Sequence, residues 1–299
     1  MSPDGIDASG GRDAQVLTLP DGRRLGFAEY GDPDGVPVMS FHGGLSSRLD
    51  AAPADVACGE LGIRLVAPDR PGIGLSDFQT GRTLLDWPAD VVALADALFG
   101  VERFGGVGWS AGGPYVAACG YAVPERLTAG AMVASAVPLE ISSRSGLSLA
   151  DRTLLFMSER MPWAASQALR LSIGLPSPTR LERSIARSLV AVDMEAIRRA
   201  GPPAESVAFM KESLRGGTRG VIADYRVFGE PWGFALEDVA IPIHVWQGSE
   251  DTQCPPEDPL LLAEHLPDAE LTIVAGEGHI SLLRNQARTI LEPFVAVAR

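Results

Sequence analysis

The sequence has only three cysteines, Cys58, Cys119 and Cys254, widely separated and without a C-x-x-C pair. Neither a zinc ribbon nor a dithiol redox site is encoded, and the three are expected to be reduced packing residues. An excess of positive charge is also missing: 25 Lys plus Arg against 38 Asp plus Glu leave a formal charge of −13, whereas a nucleic-acid partner requires a concentrated basic face. The acidity is uneven, with the stretch between Glu140 and Asp238 close to neutral. No apolar run approaches the roughly 18 residues of a membrane span. The opening MSPDGIDASGGRDAQ is polar and Gly-rich, with neither the basic start nor the apolar stretch of a signal peptide. A loose tail on a soluble, cytoplasmic protein is expected. There is no internal repeat and no low-complexity tract. What remains is a chain of 299 residues, 46% apolar and 21% charged, able to bury one large core or a core with a substantial insertion.

From residue 15 to 137 short β-branched runs alternate with longer helical stretches, each change marked by Gly, Pro or Asp. Strands are predicted at 16–18, 25–30, 38–41, 63–67, 104–109 and 127–133, with helices at 50–61, 84–99 and 111–121. That βαβαβ order is the pattern of a parallel sheet covered by helices on both faces. After Pro138 the strand signal disappears: 147–160, 163–173, 178–190, 194–199, 204–214 and 218–228 all read as helices. The sheet resumes with strands at 243–247 and 270–274, separated by a helix at 256–265 and closed by a helix from 281 to 297.

The strongest chemical signal is Gly108-Trp109-Ser110-Ala111-Gly112, a G-x-S-x-G pentapeptide between a predicted strand and a predicted helix. A serine on so sharp a turn needs small neighbours two residues before and after it. It also sits at a helix N-terminus, where N–H groups stabilise developing negative charge. An overlapping G-x-G-x-x-A match, Gly106 to Ala111, suggests a dinucleotide site. It lies in a later βα unit, and no acidic residue ends the next strand to hold a ribose. Phe41-His42-Gly43-Gly44-Leu45 follows an earlier strand, and Gly44 with Ala111 is positioned to supply the two N–H donors that an oxyanion requires. His42 is read as a brace for that loop.

A serine nucleophile needs a base and an orienting acid. His279, in Gly276-Glu277-Gly278-His279, follows the last predicted strand and so falls on the same rim of the sheet as Ser110. His244 lies within a predicted strand and His265 ends a helix, where each has a structural reading. Gly248-Ser249-Glu250-Asp251-Thr252 forms a polar turn after the strand at 243–247. Asp251 is the preferred acid, with Glu250 as its alternative. The order Ser110, Asp251, His279 is the one expected of a nucleophile elbow.

With these residues the chain resembles the α/β-hydrolase superfamily from about Val16 to its C-terminus, as a serine-nucleophile, cap-bearing member similar to esterases and aminopeptidases. Ala67-Pro68-Asp69-Arg70-Pro71-Gly72-Ile73-Gly74-Leu75-Ser76-Asp77 resembles the structural loop after the family's fourth strand. One departure is Leu45-Ser46, where many relatives carry Pro and Gly. Arg48 is read as bracing Asp69. The resemblance implies an α/β fold with a mostly parallel eight-stranded sheet, helices on both faces and an inserted helical cap. Residues 1–14 are then a flexible tail, 15–138 and 239–299 the two parts of the core, and 139–238 the cap.

The implied reaction is acyl transfer on an ester, thioester or lactone of a small apolar substrate, without cofactor or metal and without a nucleic-acid or membrane partner. Ser110 speaks against relatives that use a carboxylate nucleophile. The alternatives are an aminopeptidase similar to proline iminopeptidases, with Glu205, Glu212 or Asp224 as amine site, and a lyase or cyclase on the same fold. Met157, Met161, Trp163, Phe209, Met210, Phe228 and Trp232 are the candidate substrate contacts of the cap. The natural substrate and the oligomeric state are left open.

Overall fold

The β-branched runs come together in one nine-stranded sheet, seen in a computed structural model that describes residues 5–142, 147–199, 201–254 and 256–297. In chain order the strands are β1 (Ile6–Asp7), β2 (Gln15–Thr18), β3 (Arg24–Gly31), β4 (Val36–Phe41), β5 (Ile63–Pro68), β6 (Phe104–Trp109), β7 (Leu127–Val133), β8 (Ile243–Gly248) and β9 (Ala269–Val274). Their spatial order is β1-β2-β3-β5-β4-β6-β7-β8-β9. The pairs from β5 to β9 are parallel, and β1, β2 and β3 join antiparallel at one edge.

Two apolar layers cover the sheet, as a parallel sheet requires. On one face Trp87, Val91 and Leu94 of α2 (Trp87–Leu98) and Tyr115 and Val116 of α3 (Gly113–Ala122) pack against Phe41 and Phe104. On the other, Cys58 of α1 (Asp55–Leu61) and Ile290, Leu291 and Phe294 of a helix at Ala287–Val297 pack against Val38, Leu65 and Val107. Strand β6 is buried at every position, which accounts for its lack of any polar side chain before the turn.

Chain direction fixes where chemistry can occur. From β4 the chain moves to β5 on one side and then crosses to β6 on the other, so the loops leaving β4 and β6 diverge and open a crevice at the carboxyl ends of the strands. Such a switch point is where open α/β sheets bind ligands. Between β7 and β8 the elements among the described residues are all helical, including Leu149–Arg160, Pro162–Leu169, Pro178–Ile185, Ala191–Arg199, Pro203–Ser206, Ala208–Ser213 and Arg219–Gly229. Leu154, Leu155, Leu169, Leu181, Val207 and Val221 give this insertion an apolar cluster of its own.

Three expectations are corrected. The sheet has nine strands instead of eight because Ile6–Asp7, placed in the flexible tail, pairs with Leu17 and Val16. Half-buried Ile6 packs on the core there and covers what would otherwise be an open edge. Residues 1–4 of that tail lie outside the described residues. The last predicted helix is two, His279–Asn285 and Ala287–Val297, and the first starts at His279 itself. The predicted helix at 204–214 divides likewise into Pro203–Ser206 and Ala208–Ser213. No described helix is long and apolar enough to cross a membrane.

Candidate active site

Ser110 stands at the switch-point crevice with a left-handed φ of 55°, between the end of β6 and a short 3₁₀ turn leading into α3. A non-glycine residue is rarely held there without a functional reason, because the conformation is strained. The flanking glycines make the turn possible. A Cβ on Gly108 would strike the Gly112 carbonyl, and one on Gly112 would strike the Phe41 carbonyl of β4.

His279 reaches the same crevice from the loop after β9. Its Nδ1 lies 2.9 Å from Asp251 Oδ2 in the turn after β8, and both side chains are buried. Asp251 is held in turn by the amides of Gln253 (2.7 Å) and Cys254 (3.2 Å) and by Gln247 Nε2 (3.1 Å). Burial favours neutral imidazole, but the adjacent Asp251 carboxylate outweighs it and raises the His279 pKa well above its ordinary value. In Asp251 burial is likewise outweighed, by the imidazole and the amide bonds, and its pKa is lowered. Glu250 is exposed and its carboxylate accepts from the neighbouring Ser249 hydroxyl at 3.4 Å. The structure thus brings Asp251, not Glu250, to His279.

The loop after β4 is held from three sides. Asp50 Oδ2 accepts from the Gly43 amide (3.0 Å) and the Ser46 hydroxyl (2.7 Å), and burial pushes its pKa up to about 6. His42 is buried with both ring nitrogens engaged: Nδ1 donates to the Gly43 carbonyl at 2.9 Å and Nε2 accepts from the Arg70 amide at 3.2 Å. Burial, with the Arg70 charge adding to it, drives its pKa well down. Arg70 donates to the His42 carbonyl and to the Gly43 carbonyl (2.8 Å), and it bonds Asp224 of the helix Arg219–Gly229 at 2.9 Å. The Leu45-Ser46 departure is accommodated by a left-handed Leu45, φ 49°, and by the Ser46–Asp50 bond. Gly44 and Ala111 are close neighbours, a Cβ on Gly44 falling 3.6 Å from that of Ala111.

A profile of the Alpha/beta hydrolase family matches residues 39–290. The chain belongs to this family. Among curated proteins it is similar to a non-heme chloroperoxidase of Streptomyces lividans, 33% identical over 130 residues, or 43% of this chain and 47% of that protein. That match spans about half the relative's length. Among solved structures it is similar to a malate-bound thermophilic esterase from Thermogutta terrifontis, with a TM-score of 0.71 at 20% identity over 96% of this chain and 100% of that one. It is also similar to an enol-lactonase from Burkholderia xenovorans LB400, with a TM-score of 0.69 at 16% identity over 94% and 99% of the two chains. At these identities the likeness is one of fold.

In this alpha/beta hydrolase Ser110, Ala111, Gly44 and His279 line one cavity of about 370 Å³, roofed by the helical insertion. Of the candidate contacts from the insertion, Phe209, Met210 and Phe228 line it. Met157, Met161, Trp163 and Trp232 do not. Met157 packs among the insertion's own helices, Met161 and Trp163 face solvent at 37% and 72% exposure, and Trp232 joins the main core beside Phe234. Their places are taken by branched residues, among them Leu45, Leu139, Leu155, Ile173, Ile185 and Val207.

None of the three acidic residues considered for an amine lines the cavity. Asp224 is buried against Arg70 and Arg82, and Glu212 pairs with Arg48 at 2.8 Å beside the buried Arg48–Asp69 bridge. Glu205 is exposed. The carboxylates that do line it are Asp151, which accepts from Tyr225 Oη at 2.7 Å, and Asp258, which accepts from the Ser142 hydroxyl at 2.7 Å. Burial raises Asp258 to about 6. Neither lies in a motif, so no local pattern points to them.

Two further histidines sit apart: His244 of β8, half-buried, pairs with Glu270 of β9, and His265 pairs with Glu237 at 2.5 Å. Among the described residues Asp251, Cys254 and His279 bring their ligand atoms within 4.8 Å of one another. The Cys254 thiol donates to the Ala134 carbonyl at 3.1 Å, and burial pushes its pKa up to about 11. Each member of the cluster already has a hydrogen-bond partner, Cys254 in the Ala134 carbonyl and His279 in Asp251.

Proposed function

We propose that the protein is a serine esterase that hydrolyses an ester, thioester or lactone of a small, largely apolar substrate through an acyl-enzyme. The observation that carries this reading is the strained Ser110 sharing one apolar-walled cavity with a His279 whose Nδ1 is engaged by Asp251 at 2.9 Å. Ser110 Oγ attacks the substrate carbonyl while His279 Nε2 takes its proton. Asp251 holds the tautomer that leaves Nε2 free to do so and stabilises the imidazolium that results. The carbonyl oxygen, now an oxyanion, is received by the amides of Gly44 and Ala111. The imidazolium then protonates the departing alcohol or thiol, and the same histidine activates water to cleave the acyl-enzyme.

In this reading residues 139–238 act as a cap, with Phe209, Met210 and Phe228 among the groups that select the apolar part of the substrate. The esterase and enol-lactonase named among the structural neighbours agree with it. A fluorophosphonate probe is expected to modify the enzyme once, at Ser110 by peptide mass. Over p-nitrophenyl esters from acetate to decanoate, kcat/KM should rise by about 1 kcal/mol of transition-state binding per methylene until the cavity is full. Labelling at another residue, or no labelling with no ester turnover, would sink the proposal. A profile that only falls from acetate onward would remove the apolar acyl pocket alone.

A further inference from the structure

His279 is the first residue of a short helix whose own Ser281 hydroxyl reaches back only to the Gly278 amide at 2.7 Å, leaving the amides of residues 279–281 without a cap from the helix itself. A helix start exposes unpaired amide N–H groups, usually satisfied by a Ser, Thr, Asp or Asn at the preceding position. Here that position is Gly278, and the carboxylate comes from Asp193, in the insertion helix Ala191–Arg199. Asp193 Oδ2 accepts from the His279 amide at 3.1 Å, and its Oδ1 accepts from the Ile280 and Ser281 amides at 2.9 and 2.8 Å. Asp193 is only 1% exposed.

Gly278 has an extended backbone, φ −99°, that any residue can adopt. Space is what excludes a side chain: a Cβ there would lie 2.5 to 2.7 Å from the Asp193 carboxylate. The two helices are tied a second time where Arg284 Nη1 donates to the Ala196 carbonyl at 3.1 Å. Ile197 and Ile280, one from each helix, belong to the same apolar cluster and line the cavity.

We infer that Asp193 is a positioning residue for His279, through which the helical insertion sets the placement of the catalytic base. The inference rests on His279 being that base. The negative carboxylate is favoured at the helix start by the dipole as well as by its three hydrogen bonds. Any displacement of the Ala191–Arg199 helix is transmitted to the backbone that carries the imidazole. The insertion is then more than a roof over the substrate, because the reaction geometry depends on its being docked.

The test replaces Asp193 and then restores a cap locally. Asp193→Ala should lower kcat on a p-nitrophenyl ester by about 10²-fold, the cost of a small misplacement of a reacting group, while KM changes by much less. Hydrogen exchange should speed up at the amides of residues 279–281 and stay unchanged in Arg219–Gly229 of the insertion. Asp193→Asn, which keeps one acceptor, should fall between. In the Asp193→Ala background the atoms that crowd Gly278 are gone, so Gly278→Asp can supply an N-cap from its own position. That double variant should recover both protection and most of kcat.

Wild-type kcat in Asp193→Ala, or a lost kcat with unchanged protection at 279–281, would overturn the inference. So would a double variant that regains protection without regaining kcat. If Asp193→Ala does not fold, Asp193→Asn and the double variant decide. A wild-type protein without ester turnover and without labelling at Ser110 would overturn the esterase reading instead, and the exchange measurement distinguishes the two failures.

Discussion

The indole Nε1 of Trp109 donates a 3.0 Å hydrogen bond to the backbone carbonyl of His279, and the two rings lie 5.3 Å apart. The residue before the proposed nucleophile is therefore tied to the proposed base, which links the ends of β6 and of the loop after β9 at the point where the two side chains must meet. Read from sequence, Trp109 is core packing, which it also is. Trp109→Phe keeps most of the packing and removes the side-chain donor to the His279 carbonyl, which retains its helical partner, at a cost of about 1 kcal/mol. It should lower Tm and kcat together, as measured by calorimetry and ester turnover. An unchanged kcat would mean that the bond has no part in placing His279.

Ser110 should show a conflict between stability and activity. Ser110→Ala removes the proposed nucleophile and should lower kcat by about 10⁶-fold, the loss expected when one member of a triad is deleted. It retains the left-handed backbone of 55°. Ser110→Gly should be equally inactive but relieve that backbone by about 1 kcal/mol. The glycine variant is thus expected to melt above the alanine variant, and the reverse order in a thermal scan would show that the turn stores no strain.

The acid is tested by rate and by pH. A base must be neutral to accept a proton, so activity is lost as pH falls through the His279 pKa. Asp251 raises that pKa well above the ordinary value, and the acid limb of kcat/KM should accordingly lie above pH ~6.5. Asp251→Asn should lower kcat by about 10⁴ by stabilising the wrong tautomer. It also removes the raising charge and leaves burial, so the residual activity should have its acid limb at lower pH. Glu250→Gln should change neither quantity appreciably. The opposite ranking would transfer the role to Glu250.

How much of this was legible in the sequence follows from what constrains each part. The elbow was legible because contact forces local composition: Gly108 and Gly112 must lack side chains for the turn to close. The His279 and Asp251 loops were legible because a parallel sheet puts every strand's carboxyl end on one rim. The insertion was legible as helices but not as a pocket wall. Periodicity identifies an apolar face without saying what it meets, so exposed Trp163 was expected in the cavity where Leu155 and Ile173 stand instead. Asp193 was invisible for a different reason. Its carboxylate caps a helix 86 residues further along the chain, and no local pattern records a cap supplied across that distance.

The Asp224 cluster supplies the sharpest stability prediction, because here a charge is buried on the insertion side and its partners lie on the core. Burial alone would raise the Asp224 pKa, but Arg70 and Arg82 outweigh it and hold the carboxyl at about 2. A carboxyl depressed on folding stabilises the folded state above its unfolded pKa of about 3.9, and that stabilisation is lost as pH falls toward the folded value. The span corresponds to about 2–3 kcal/mol. Asp224→Asn leaves two buried guanidinium groups without their counter-charge, which should cost about 3–5 kcal/mol at neutral pH. It should also flatten the decline in stability between about pH 4 and pH 2. The exposed pair Arg24–Asp77, 63% and 37% accessible, is the control, and Asp77→Asn there should cost about 1 kcal/mol or less. Because Arg70 also holds the His42 and Gly43 carbonyls, ester turnover by Asp224→Asn should fall even at temperatures where circular dichroism shows the variant fully folded. A variant as stable and as active as the parent would mean that the insertion does not anchor the loop after β4.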